Sequence, residues 1–148
     1  MYTGSANEKF FSIARKAAEM SNFYRCHTGC VIVYKGDIIS SGYNQNKTHP
    51  LQKVYNKERY EEDSTPHYMH AEIHALSSVI NDTSINWKKV HIYLYRISKK
   101  NVYALARPCP ACMKLIHHLG IRHIHYTTNN GYAHEILNER GIENEICI

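Results

Sequence analysis

Residues 70–72 read His70-Ala71-Glu72, and residues 108–112 read Pro108-Cys109-Pro110-Ala111-Cys112. These two stretches supply one imidazole, one carboxylate and two thiols. Imidazole and thiolate are soft ligands, and three of them around Zn²⁺ leave the fourth tetrahedral position open for water. The carboxylate of Glu72 is then left over to move protons. The two stretches therefore predict an enzyme with a zinc site formed by His70, Cys109 and Cys112.

The spacing within each motif places it at the start of a helix. Side chains two positions apart in a helix point roughly 200° away from each other, so His70 and Glu72 can face one metal only from beyond the helix end. Cys109 and Cys112 are three positions apart, on one helical face, and Pro110 suits a first helical position because no N–H donor is needed there. We expect two helix N-termini to meet at the metal, where their partial positive charge favours thiolate.

Two other interpretations of these residues stay open. A Cys-x-x-Cys pair can be a redox pair, and a His with two Cys can be part of a structural zinc site. A structural site is usually closed by four protein ligands, however, and no fourth Cys or His stands at a matching spacing. The sequence also leaves open a second metal site at Cys26, His27 and Cys30. Cys30 fits the start of a buried strand better, where a free cysteine packs as a small hydrophobe.

The composition indicates a globular protein that folds as one domain over residues 1–148. Apolar residues make up 43% and charged residues 21% of the chain. A chain of 148 residues with this apolar fraction can bury a hydrophobic core. No apolar run approaches the ~18 residues of a membrane span, and residues 1–9 lack the pattern of a secretory signal, so no membrane association is expected. Because the count of five cysteines is odd, we predict a reduced, cytoplasmic protein. The net charge of +5 fits a nucleic acid and a small anion equally well.

Hydrophobic periodicity predicts helices that alternate with strands. Helices are expected at residues 6–20, 70–80, 109–119 and 132–140. Strands are expected at residues 29–34, 38–43, 90–97, 121–127 and 142–148, the first two forming a hairpin. Residues 44–68 form a long irregular stretch, which in a compact domain is often functional. Strands that alternate with helices predict an α/β fold with a sheet covered on both faces.

His-Ala-Glu followed by Pro-Cys-x-x-Cys resembles the zinc-dependent cytidine deaminase superfamily, whose members deaminate nucleobases and nucleotides. The resemblance implies a three-layer α/β/α sandwich with a five-stranded mixed sheet. It also implies that His70, Cys109 and Cys112 bind the zinc and that Glu72 is the general acid/base. Zinc in such a site lowers the pKa of its water from 15.7 to about 7, so the implied reaction is hydrolytic deamination.

Three features make the chain most similar to the deoxycytidylate (dCMP) deaminase family within this superfamily. The zinc ligand is His70, where small nucleoside deaminases usually carry Cys. The helix expected at 132–140 makes the last two strands parallel, as in that family. Gly42-Tyr43-Asn44 resembles the family's Gly-Tyr-Asn, whose Asn helps to hold the sugar. The resemblance thus implies a small nucleotide substrate, conversion of dCMP to dUMP, and a sugar contact by Asn44.

Further substrate contacts are expected around the motifs. By the same resemblance, Ala71 and Tyr126 belong to the substrate pocket, and a base stacked on an aromatic ring gains ~1–3 kcal/mol. The stretch after Asn44 holds four cations that could clamp a phosphate, namely Lys47, Lys53, Lys57 and Arg59. A homo-oligomer is expected as well.

The sequence departs from the dCMP deaminase pattern in two places. Residues 45–50 replace the usual Gly-x-Pro-x-Gly turn, and His74 stands where Asn is common, which makes the motif similar to the deaminase half of riboflavin biosynthesis enzymes. The base (cytosine, guanine or pteridine-like) therefore stays open. A polynucleotide deaminase, a nucleic-acid-binding module and a structural zinc protein are the other candidates. Scattered basic residues and the end of the chain after its last expected strand count against a polynucleotide substrate.

Overall fold

One mixed β-sheet runs through the residues that the computed structural model describes, which are 5–58, 67–99, 103–138 and 143–147. Its strands are β1 (His27–Tyr34), β2 (Asp37–Tyr43), β3 (Val90–Ile97), β4 (Tyr103–Ala104), β5 (His123–Thr127), β6 (Tyr132–Leu137) and β7 (Glu143–Cys147). The helices are α1 (Ser5–Glu19), α2 (Pro50–Tyr55), α3 (Ala71–Ser77) and α4 (Pro110–Leu119), with short 3-10 turns at Asn56–Glu58 and Trp87–Lys89. The strand order is β2-β1-β3-β5-β6-β7, and the short β4 pairs with β3.

The strand directions make the sheet mixed. β1 runs antiparallel to β2 and β3, whereas β3 runs parallel to β5. A parallel pair needs a crossover, and α4 lies in the connection between β3 and β5. The sheet continues with two antiparallel pairs, β5 with β6 and β6 with β7. All five expected strands are present, and the predicted α/β fold with a mixed sheet is confirmed.

Helices cover both faces of the sheet. α1 packs on one face, mainly against β1 and β3, and its core includes Phe11, Ala14 and Ala18. The packing is close, because a Cβ on Gly29 of β1 would lie 2.0 Å from the carbonyl oxygen of Ala14. α3 and α4 contribute to the core of the opposite face, together with alternate side chains of β1, β3 and β5. Among the described residues, no helix has both the length and the hydrophobicity needed to cross a membrane.

The prediction of a helix over residues 132–140 is wrong. Residues 132–137 form β6, and residues 139–140 lie outside the described part of the chain. Every second side chain of β6 is buried, namely Ala133, Glu135 and Leu137, which is the period of a strand. The alternation is not apparent in the sequence because one of the three buried residues is a glutamate. A helix between the last two strands was one of the three features that favoured the dCMP deaminase family. Because residues 132–137 form a strand, this feature no longer supports that assignment.

The stretch at 44–68 contains more regular structure than expected. α2 begins at Pro50, and Nδ1 of its N-cap residue His49 accepts a hydrogen bond from the N–H of Leu51 at 3.1 Å. Thr48 and Tyr68 form an isolated β-bridge, so the two ends of the stretch lie side by side. Residues 59–66, which include the candidate Arg59, lie outside the described residues.

Candidate active site

Both sequence motifs lie at helix N-termini. His70 is the N-cap of α3 and Cys109 is the N-cap of α4. Their backbones are extended, with φ/ψ of −78°/159° and −69°/167°, so each chain segment turns into its helix at the motif. Pro110 occupies the start of α4, as predicted. The starts of the two helices therefore bring the three candidate ligands together.

The three candidate ligands are close enough to share one metal ion. Nδ1 of His70 lies 3.5 Å from Sγ of Cys109 and 3.4 Å from Sγ of Cys112. Tetrahedral Zn²⁺, with Zn–N of about 2.0–2.1 Å and Zn–S of about 2.3 Å, requires about 3.6 Å between such atoms. One imidazole and two thiols thus stand at distances that suit zinc, and they leave a fourth position for water.

The surroundings of the two thiols shift their pKa values in opposite directions. The pKa of Cys109 is lowered to about 3, mainly because the Cys112 thiol donates a hydrogen bond to it and also because His70 is close. The pKa of Cys112 is raised well above its ordinary value by that same hydrogen bond and by burial. The fold therefore favours one thiolate before any metal binds, and the second proton leaves on metal binding.

Glu72 lies beside these ligands as the second residue of α3 and is only 5% exposed. Burial raises the pKa of its carboxyl, although the nearby His70 acts in the opposite direction. A carboxyl whose pKa is raised takes up and releases protons closer to neutral pH. The position of Glu72 thus suits a proton carrier.

Comparison with known families assigns the chain to a family with a zinc-binding region. Residues 5–128, a stretch that contains both motifs, match the family described as the cytidine and deoxycytidylate deaminase zinc-binding region. The chain belongs to this deaminase family. The predicted Zn²⁺ cofactor is thereby confirmed, and His and Cys residues stand in position to bind it. A search of curated proteins finds no sequence match.

Solved structures share the fold of this deaminase. The apo dCMP deaminase of the cyanophage S-TIM5 is 20% identical, with a TM-score of 0.59 over 86% of each chain. The same phage enzyme in complex with dCMP and dUMP is 18% identical, with a TM-score of 0.59 over 86% of this chain and 85% of that chain. The cytidine deaminase of Burkholderia pseudomallei is 16% identical, with a TM-score of 0.55 over 95% of this chain and 90% of that chain. At these identities the likeness shows the fold alone.

A cavity of about 460 Å³ adjoins the metal site of the deaminase. One part of its wall consists of the motif residues His70, Ala71, Glu72 and Cys109. Other parts of the wall carry three arginines and three aromatic residues, which are Arg25, Arg96, Arg107, Phe23, Tyr24 and Tyr68. The cavity therefore combines the catalytic motif with cationic and aromatic groups.

Asn44, the expected sugar contact, lines this cavity. Its Oδ1 accepts hydrogen bonds from Oγ of Ser21 at 2.6 Å and from the N–H of Thr28 at 2.9 Å. Its Nδ2 donates to the carbonyl of Cys26 at 2.9 Å. These three bonds hold the amide of Asn44 in one orientation at the edge of the cavity.

Tyr126, the expected stacking residue, is not among the described residues that line the cavity. It is 3% exposed, and its hydroxyl donates to Oε1 of Glu135 at 2.9 Å. Arg107 donates to both carboxylate oxygens of the fully buried Glu135, each at 2.9 Å. A direct base contact by Tyr126 is therefore not supported, and Tyr126 is linked to the cavity only through Glu135 and Arg107.

None of the expected phosphate ligands lines the cavity in the described part of the chain. Lys47, Lys53 and Lys57 lie outside its wall, and Arg59 is not described. The cations that do line the cavity, Arg25, Arg96 and Arg107, were not predicted from the sequence. One available signal was Arg96, a charged residue in β3, whose other residues are buried except for His91.

Arg96 stands out among these arginines because part of its guanidinium lacks a partner. Its Nε is buried and has no hydrogen-bond partner among the described residues. Its Nη1 donates to the carbonyl of Leu105 at 3.3 Å. A buried, unpartnered donor on a cation costs free energy unless an anion or another acceptor reaches it.

Cys26, His27 and Cys30 do not form a metal-binding group within the described ranges. Cys30 is fully buried in the core on the side of α3 and α4, as the sequence predicted. A ring nitrogen of His27 lies 3.1 Å from the carbonyl oxygen of Phe23. The second metal site considered at these residues is therefore not supported.

Proposed function

We propose that this deaminase converts dCMP to dUMP, with water as the second substrate and ammonia as the second product. The observation that carries the proposal is a single cavity whose wall contains the zinc ligands His70 and Cys109, together with Glu72 and Arg96. Its volume of about 460 Å³ is that of a small-molecule site. A nucleotide can present its base to Glu72 and its phosphate to an arginine only where both line the same cavity.

Glu72 is the proton carrier of this proposal. Zn²⁺ held by His70, Cys109 and Cys112 supplies a polarised water when it is bound. Glu72 accepts a proton from this water and donates it to the ring nitrogen beside the carbon that bears the amino group. The water oxygen bonds to that carbon, and the same carboxyl transfers the second proton of the water to the amino group, which leaves as ammonia when its C–N bond breaks. Proton transfer by a well-placed side chain typically contributes ~10²–10⁴-fold to the rate.

Asn44 and Arg96 are the proposed contacts to the rest of the nucleotide. The fixed amide of Asn44 contacts the sugar, and Ala71 contributes the wall beside the base. The phosphate supplies the acceptor that Nε of Arg96 lacks. Arg25 is exposed at the same cavity, where its guanidinium lies 5.3 Å from the centre of the Tyr24 ring, and it adds a second positive charge. These residues replace the lysines of the 44–68 stretch as candidate phosphate ligands.

Ammonia release measured across a substrate panel tests the proposal. The panel contains dCMP, CMP, deoxycytidine, cytosine, guanine, a pterin and a single-stranded DNA oligonucleotide, and we expect the highest kcat/KM with dCMP. Arg96→Gln should lower kcat/KM for dCMP by about 10–150-fold, the equivalent of ~1.5–3 kcal/mol, and leave deoxycytidine unaffected. Lys57→Gln is the matched control, because this exposed side chain lies outside the cavity wall. Equal use of nucleotide and nucleoside by the wild type would contradict the proposal.

A second candidate function is deamination within single-stranded nucleic acid. It is favoured by aromatic rings at the cavity, because the ring of Phe23 lies 4.9 Å from that of Tyr24 and 5.5 Å from that of Tyr68. Unpaired bases stack on such rings, and Arg25 could follow the backbone. The same panel separates the two candidates, since this one predicts turnover of the oligonucleotide with a steep dependence on salt.

A further inference from the structure

Four histidines meet on the face of the sheet opposite to α3 and α4. We call His91, His123, His125 and His134 the histidine cluster. His91 of β3 is in register with His123 of β5, and His125 of β5 is in register with His134 of β6. His91 shares its face with Tyr93, which belongs to the core under α1. The sheet therefore separates the cluster from the zinc ligands on α3 and α4, and the deamination reaction makes no use of it.

The imidazole nitrogens of the cluster point at one another. Nδ1 of His91 lies 2.8 Å from Nε2 of His125, and Nδ1 of His123 lies 3.0 Å from Nε2 of His134. One nitrogen each from His91, His125 and His134 lie within 4.8 Å of one another. The ring of His125 stacks on Tyr93 and on His134, with centroid distances of 4.1 Å in both cases.

We propose that His91, His125 and His134 bind a second divalent transition-metal ion. Imidazole suits Zn²⁺, Cu²⁺ and Ni²⁺, and the cluster offers neither thiolate nor carboxylate, so it selects this class over hard cations such as Mg²⁺. Tetrahedral Zn²⁺ requires about 3.3 Å between its ligand nitrogens. The pair at 2.8 Å must open by about 0.5 Å to meet that distance, and the rings of His125 and His134 must turn out of their parallel stack, because the lone pair of an imidazole nitrogen lies in the plane of its ring.

The protonation of the cluster is compatible with a metal. Burial, together with the neighbouring imidazoles, lowers the pKa of His91 to about 4 and that of His125 to about 2, so both rings are neutral at neutral pH. A neutral imidazole has one proton and two nitrogens. One of the two rings donates its N–H in the hydrogen bond between His91 and His125. When the ion binds to that nitrogen, the ring adopts its other tautomer, with the proton on the second ring nitrogen. No proton has to leave the rings of His91 and His125.

The ion has a structural role in this proposal. α1 packs mainly on β1 and β3 and contacts β6 through Phe11, whose ring stacks on that of Tyr132 at a centroid distance of 4.2 Å. The three ligands come from β3, β5 and β6, so a bound ion links these three strands to one another. Unlike the site of Cys109 and Cys112, this site needs no open position for a substrate.

Metal content of the full chain tests the inference. After equilibration with Zn²⁺ and removal of loosely bound ion by gel filtration, we expect two zinc ions per wild-type chain and one in Cys112→Ser. The double variant His91→Gln/His134→Gln should also hold one, and its combination with Cys112→Ser none. His117→Gln is the matched control, because this partly buried histidine of α4 lies outside the cluster, and it should keep both ions.

Cobalt distinguishes the two sites by their ligands. Co²⁺ in the Cys112→Ser chain should show ligand-field absorption without the strong thiolate-to-metal charge transfer of a two-cysteine site. Circular dichroism checks folding, and if the double variant does not fold, single His134→Gln replaces it with an expected loss of affinity of at least about tenfold. A Cys112→Ser chain that binds no ion overturns the proposal, as does a folded His134→Gln chain that binds the second ion as tightly as the wild type.

Discussion

The backbone N–H of His70 donates a hydrogen bond to Oε1 of Gln52 at 2.9 Å, so the long stretch before α3 holds the residue that is to bind zinc. Gln52 is fully buried, and its Nε2 donates to Oδ1 of Asn56 at 2.7 Å. Nδ2 of Asn56 in turn lies 2.9 Å from Nδ1 of His67. This chain of contacts indicates that the stretch positions His70, which differs from the phosphate clamp expected from its lysines.

Gln52→Leu should weaken both the fold and the metal site. The leucine fills a similar volume but leaves the N–H of His70 and Oδ1 of Asn56 without their partner, and an unsatisfied buried group costs ~1–3 kcal/mol. Urea denaturation of the metal-free protein should show this loss in the free energy of unfolding, and zinc titration should show a weaker site. Lys57→Gln, an exposed neighbour, should change stability by less than about 0.5 kcal/mol. A wild-type zinc affinity in Gln52→Leu would refute the positioning role.

Gly42→Ala should displace α3 from β2. A Cβ at this position would lie 2.5 Å from the backbone nitrogen of Ala75 and 2.8 Å from the carbonyl oxygen of Ala71. The backbone atoms of a helix cannot move individually, so the whole helix has to shift. Overpacking of this kind typically costs ~1–3 kcal/mol. Thermal unfolding should show a lower Tm for Gly42→Ala, whereas Ser41→Ala, at the exposed neighbouring position, serves as the control. An unchanged Tm would mean that α3 can move away from β2 without loss of stability.

Cys112→Ala should abolish zinc binding at the active site. The variant removes one of the two thiols that stand 3.4 Å and 3.5 Å from Nδ1 of His70, and a fourth soft ligand is not grouped with them in the described part of the chain. Metal analysis should find one zinc fewer per chain than in the wild type, together with loss of ammonia release. Full retention of zinc would remove His70, Cys109 and Cys112 as its ligands.

Glu72→Gln should keep the zinc and the fold but lose turnover. The amide has nearly the same shape as the carboxyl and cannot carry the proton, so we expect a decrease in kcat of ~10²–10⁴-fold. Metal analysis and circular dichroism of the same preparation provide the controls. Deamination within about tenfold of the wild type would exclude Glu72 as the acid/base.

The zinc motif and most of the fold could be predicted because their signals are local. Ligand type and the i, i+3 spacing of Cys109 and Cys112 depend on a few neighbouring residues, and so does the helix that begins at Pro110. The apolar runs of β1 and β3 likewise show their burial directly in the sequence.

The remaining features depend on partners that are distant in the chain. Glu135 is buried because Arg107, 28 residues earlier, and Tyr126 bind its carboxylate, so the alternation of β6 contains a charged residue on its inner side. The role of Gln52 becomes visible only where α2 packs beside His70. The histidine cluster likewise depends on the register of three strands, which no local pattern specifies.

Acid should destabilise the metal-free protein through His125. In the unfolded chain its pKa is that of a free histidine, 6.5, whereas burial and the nearby His134, His91 and His123 lower its pKa to about 2 in the folded protein. Below pH 6.5 the unfolded state therefore binds a proton that the folded state does not bind. The stabilising contribution of neutral His125 is fully present above pH 6.5 and is lost as the pH falls toward about 2.

For one proton the slope is about 1.4 kcal/mol per pH unit. His125→Phe keeps a ring that can stack on Tyr93 and His134 but removes the titration. Urea denaturation in the presence of a chelator, at several pH values from 7 to 4, should therefore show a free energy of unfolding that falls less steeply in the variant than in the wild type. His117→Gln, which changes a histidine outside the cluster, is the control for the replacement of one histidine. Parallel pH profiles for the wild type and His125→Phe would show that His125 is protonated in the folded protein as readily as in the unfolded chain.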